Sequence, residues 1–99
     1  MENKRENLAE QLEMIGELFE IEQITPLLMR YKNGMSGQQF NALTLQVCSV
    51  VMKQNKGLCD RLIAKNKNID LDAVQELDDA EYSLAMREAI TKDVLGFFG

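Results

Sequence analysis

Residues 36–54, SGQQFNALTLQVCSVVMKQ, constrain the fold more than any other stretch of this chain. They form its longest apolar-rich run and the one best framed at both ends. Ser36 is a helix-capping residue, and Gln39, three positions on, completes the pattern of a capping box. Asn33-Gly34 closes whatever precedes the run, and Gly57 is placed to close it at the far end. Inside this frame Phe40, Leu43, Val47, Val50, Val51 and Gln54 fall on one helical side. Leu45, Cys48 and Met52 widen the stripe. A helix this apolar is expected to be buried over most of its surface, as the core that other helices wrap.

The flanks also carry helix signals. From Glu2 to about Ile21, the residues Leu8, Leu12, Ile15 and Phe19 step by four, three and four, with Met14, Leu18 and Ile21 thickening the stripe. Glu10, Glu13, Glu17 and Glu20 lie opposite. The pattern predicts a surface helix docked on the core through Leu8, Leu12, Ile15 and Phe19. It equally suits a helix that pairs between subunits, although the repeat is shorter than a committed coiled coil. Thr25-Pro26 predicts a short helix to about Lys32, with Thr25 as cap and Pro26 at the first helical position. After Gly57, Leu58 to about Lys65 turns Leu58, Leu62 and Ile63 inward. Asp70 caps a short helix through Val74 and Leu77. Asp78 and Glu81 make a second capping box, opening a last helix from Asp79 to about Phe98. Its inner face is Tyr82, Ala85, Met86, Ala89, Ile90, Val94 and Phe97. No stretch alternates with period two over strand length. The expected fold is all-α: a compact single domain over residues 1–99, with about five to six helices around a central apolar helix.

Composition narrows the function by exclusion. With 99 residues and a formal charge of −5, the chain lacks the positive surface that nucleic acid requires as a main partner. No apolar run approaches a membrane span, and Glu2 and Glu6 are wrong for an export leader, so a cytoplasmic protein is expected. Histidine is absent, which removes the usual general base and most zinc sites. Cys48 and Cys59 are expected as reduced core thiols. Lys56 and Arg61 near Cys59 are residues of the kind that lower a thiol pKa, but no histidine is there to pair with it. Asn66, Asn68, Asp70 and Asp72 alternate like the front of a calcium loop. The required glycine and terminal glutamate are replaced by Leu71 and Leu77, so helix capping explains them better. The residues thus assign no catalytic group, no cofactor and no metal. They do show segregated charge. Residues 1–24 hold seven glutamates against Lys4 and Arg5, and residues 53–67 hold five bases against Asp60. Such blocks suit head-to-tail association between copies.

The layout ends in Thr91-Lys92-Asp93-Val94-Leu95-Gly96-Phe97-Phe98-Gly99. A small acidic helical chain with a central helix, a polar turn and this ending resembles the tail-assembly chaperones of long-tailed bacteriophages and prophages. Members of that family are often short and helical and end in an acidic-aromatic motif like Asp93…Phe97-Phe98. The resemblance implies a non-enzymatic virion-assembly factor that binds the tape-measure protein and keeps it soluble until tail-tube protein polymerises around it. It also implies self-assembly into rings or helical oligomers, and often a longer frameshifted product. Asp93, Phe97 and Phe98 are the residues it marks as partner-binding. The alternative is a small acidic helical regulator or inhibitor that binds a single host or phage protein through an acidic face. A helix-turn-helix DNA binder fits poorly, because residues 36–54 are too apolar to lie in a groove.

Overall fold

Short-range capping sets most of the helix starts. In a computed structural model, which describes residues 4–96, the order is α1 Lys4–Glu20, α2 Ile24–Leu28, α3 Gly37–Gln54, α4 Lys56–Lys67, α5 Leu71–Gln75 and α6 Asp79–Ala89. A π-helical segment, Ile90–Leu95, continues α6. There is no strand among the described residues, and the chain is an all-α bundle. Ser36 Oγ accepts from the Gln39 amide at 3.1 Å, and the Ser36 amide donates back to Gln39 Oε1 at 3.1 Å. Asp78 and Glu81 exchange the same pair of bonds at 2.8 and 3.0 Å. Asp70 Oδ1 accepts from the Ala73 amide at 2.8 Å. These three starts are those the sequence predicts.

Other boundaries differ: α2 ends at Leu28, four residues short of Lys32, and two junctions shift. Asn55, not Gly57, separates α3 from α4. Its backbone leaves the helical region at φ −151°, and its side chain accepts from the Leu58 amide at 3.1 Å, so one residue ends one helix and caps the next. Gly57 lies inside α4. Helix α2 starts two residues before Pro26, with Gln23 rather than Thr25 at its cap and no side-chain capping bond. Burial decides this: Ile21 and Ile24 both reach the core, and Ile24 N donates to Ile21 O at 3.2 Å.

The core is shared among helices. Helix α4 packs against α1, α3, α5 and α6. It contributes Leu58, Cys59, Leu62 and Ile63, which meet Val47 and Val51 of α3, Val74 of α5, and Met86, Ile90 and Val94 near the C-terminus. Helix α3 packs against α2, α4, α6 and the π segment. It is not buried on most of its surface, however. Leu43, Thr44, Val47, Cys48 and Val51 are covered, Phe40 and Val50 are half-buried, and Leu45 and Met52 are exposed. All its neighbours lie to one side.

Helix α1 is rolled relative to expectation. Its core face is Met14, Leu18 and Ile21. Of the expected stripe only Ile15 is buried, while Leu8, Leu12 and Phe19 are exposed. The sequence offers two adjoining apolar stripes, about 100° apart around the helix. The stripe that is buried lies beside the acids that meet α4. Arg61 donates to both Glu17 carboxylate oxygens at 2.7 Å, and Lys65 Nζ lies 3.6 Å from Glu10. Glu10 and Glu17 face α4, and Met14 and Leu18 on the adjoining side are buried. The acidic first helix and the basic 53–67 block therefore meet within one chain. No described helix is long and apolar enough to cross a membrane.

Candidate functional site

Asp93 is on the π segment, half-buried beside a polar cleft of about 870 Å³ between α1 and α4. Asn66 Nδ2 donates to its Oδ2 at 3.3 Å, and Gln11 Nε2 donates to its main-chain oxygen at 3.1 Å. Asp93 thus ties the π segment to α1 and α4. Phe97 and Phe98, the other two residues of the acidic-aromatic motif, lie outside the described residues. Glu10, Glu13, Arg61, Lys65 and Asp70 are the other charged residues that line the cleft. Glu10 and Glu17 are drawn toward α4 bases, and the hydrogen bond from Arg61 holds the Glu17 carboxyl below its ordinary pKa. Asp70 is engaged in capping α5. Among the described residues no group of three or more Cys, Asp or Glu is placed to hold a metal ion.

A second concavity, about 570 Å³, opens where the end of α1, α2 and the start of α3 converge. Its walls are mostly apolar: Phe19, Leu28, Met29, Tyr31, Phe40 and Leu95. The aromatic wall is fixed in place. Tyr31 and Phe40 pack edge to face, with centroids 5.4 Å apart at 64°. Thr44 Oγ1 donates to the Phe40 carbonyl at 2.9 Å. The Thr44 proton is thereby used, so Tyr31 is the donor in its 2.9 Å contact with Thr44 Oγ1. Burial raises the Tyr31 pKa, keeping the phenol neutral. The opposite lip is soft. Met29 is 78% exposed, and Met35 also borders the groove. An unbranched thioether adapts its rotamers to whatever apolar shape it meets. A rigid aromatic wall facing a methionine lip is suited to holding apolar side chains, not to acid–base chemistry.

The remaining polar cluster is structural in form. Tyr82 Oη donates to Asp60 Oδ1 at 2.6 Å and Gln75 Nε2 to Asp60 Oδ2 at 2.9 Å. Lys56 Nζ lies 3.3 Å from both carboxylate oxygens and 5.4 Å from the Tyr82 ring centroid. One carboxylate thus joins α4, α5 and α6. Both cysteines are free and buried. Burial pushes the Cys48 thiol up to about 11 and the Cys59 thiol up to about 12, so Lys56 does not activate Cys59.

Sequence reasoning missed the groove. Met29 and Met35 flank Asn33-Gly34, and an apolar residue on each side of a turn was the available signal. No protein-family model matches this chain, and comparison with curated proteins and with solved structures finds no significant match.

Proposed function

We propose that this is a non-catalytic, cytoplasmic protein-binding factor of a phage or prophage, a tail-assembly chaperone for the tape-measure protein. The apolar groove between α1, α2 and α3, with its exposed Met29 lip on an otherwise acidic chain, carries this proposal. A groove of this kind receives the apolar face of an amphipathic helix. A tape-measure protein is long and helical and offers many such faces, so an adaptable methionine lip suits it better than a shape-specific pocket. The net negative charge keeps the loaded chaperone soluble while apolar client surface is covered. Displacement by tail-tube protein then requires only that weak groove contacts be lost.

Co-expression with a tape-measure fragment tests this. Wild type should move the fragment into the soluble fraction, and Met29→Asp should lose that effect without loss of its own folding. If Met29→Asp solubilises the fragment as well as wild type, the groove is not the client site. A second proposal rests on exposed Asp72, Glu76, Asp79 and Glu81, an acidic face around α5 and the start of α6. It suits a regulator that binds one basic protein target. In that case reversing these charges, and not Met29→Asp, abolishes binding.

A further inference from the structure

The acids of this chain avoid the groove face. Residues 23–59 contain no Asp or Glu, and their charged residues are Arg30, Lys32, Lys53 and Lys56. This stretch supplies α2, the Asn33-Gly34 turn and α3. Lys32 is exposed and lines the apolar groove. Arg30 is exposed and lines two smaller hollows of about 450 and 180 Å³ on the same α2–α3 surface. Met35 is common to the groove and the smaller hollow, and Arg30 and Gln46 are common to the two hollows. The three therefore run on from one another as a trough. Its floor past the methionine lip is apolar, with Leu27 and Val50 half-buried and Leu43 buried. No carboxylate among the described residues lines any part of it.

The cations beside the trough are also unpaired. Among the described residues neither Arg30 nor Lys32 forms an ion pair, and Arg30 Nη1 donates to the neutral Gln46 Oε1 at 3.2 Å. The bases of α4 differ: Lys56, Arg61 and Lys65 each meet a carboxylate of the same chain. Two open cations thus edge an apolar trough on a chain whose formal charge is −5.

We infer that the groove takes an acidic amphipathic helix, whose apolar stripe lies on Met29, Phe40 and the trough floor and whose flanking Asp or Glu residues meet Lys32 and Arg30. This rests on the groove being the client site and adds which helices it accepts. A helix with basic flanks sets like charges against Arg30 and Lys32, and that repulsion rejects it. Carboxylates elsewhere on the chain repel an acidic helix, so the acid-free face is where it docks. An exposed charge pair adds little affinity by itself. The apolar contacts therefore hold the helix, and the two cations select it.

Fluorescence anisotropy of the full chain with two labelled peptides tests the inference. Both peptides are helices of about 20 residues with the same leucine stripe, one flanked by Glu and the other by Lys. Net charge alone favours the Lys peptide. The inference expects the opposite: the Glu peptide binds roughly tenfold more tightly at low salt, and the preference shrinks as salt screens the pairs. Arg30→Glu with Lys32→Glu, both at exposed positions, should reverse the preference. Met29→Gln, which changes no charge, should weaken both peptides. Equal affinity, or tighter binding of the Lys peptide, overturns the inference; where Met29→Gln still weakens that binding, the groove reading stands. Binding of neither peptide removes the groove as a helix site, and the inference with it. A Glu peptide that binds but is indifferent to Met29→Gln is held by charge outside the groove and also overturns it. If the double variant melts early, the salt dependence of the wild-type preference decides.

Discussion

Replacing Tyr82 with phenylalanine removes one oxygen and keeps the ring. That oxygen donates at 2.6 Å to Asp60, the carboxylate on which α4, α5 and α6 converge. Gln75 and Lys56 remain as partners, and Lys56 keeps its contact with the ring. A hydrogen bond to a charged group contributes roughly 1.5–3 kcal/mol. The Asp60 side chain is 14% exposed and Tyr82 is half-buried, so the lower end applies, about 1.5 kcal/mol. For a domain of this size, Tyr82→Phe should lower Tm by roughly 6–12 °C at neutral pH. The acid limb supplies a second check. Burial pushes the Asp60 carboxyl up, but hydrogen bonds from Tyr82, Gln75 and Lys56 outweigh it, and the net shift is down. A carboxyl lowered in the folded state adds stability above its unfolded pKa, about 3.9, and loses it as pH falls through the folded value. The gap between wild type and variant should therefore be full at neutral pH and close in strong acid. Thermal circular dichroism at both pH values measures it. A variant melting within about 1 °C of wild type at neutral pH refutes the hub. A gap unchanged in acid refutes its dependence on the Asp60 charge.

Val51 has no exposure, so Val51→Asp buries an unpaired carboxylate and should cost about 4 kcal/mol or more; its half-buried neighbour as Val50→Asp should cost visibly less in the same denaturant titration. Arg61→Ala removes the bidentate pair with Glu17, but both side chains are about a third exposed, so the loss should stay under about 1 kcal/mol and shrink with added salt. A large, salt-independent loss would show that the pair does more than orient α1. Cys48 and Cys59 should react with iodoacetamide only as fast as the chain unfolds, and rapid labelling of the native protein at mildly alkaline pH would contradict their burial.

Local chemistry decided the helical character of this chain and most of its helix starts. Ser36 with Gln39, Asp70, and Asp78 with Glu81 each act within three residues of themselves, so their roles are legible in the sequence. The inner face of the last helix was legible for the same reason: Ala85, Met86, Ala89, Ile90 and Val94 form one stripe with no competitor. Helix α1 shows where this stops. Its sequence contains two apolar stripes, and periodicity cannot rank them. In the fold Met14 and Leu18 go in and Leu8 and Leu12 stay out, and Glu17 meets Arg61, 44 residues away, beside that buried stripe. The groove is equally non-local, since Phe19, Met29, Phe40 and Leu95 share it only because four segments converge. Only the family resemblance marked Asp93 as partner-binding, and its bonds to Gln11 and Asn66 exist only in the folded bundle. Capping and periodicity act over one or two helical turns. Which face is buried, and which side chains meet, depends on distant charges and packing that only the tertiary structure brings together.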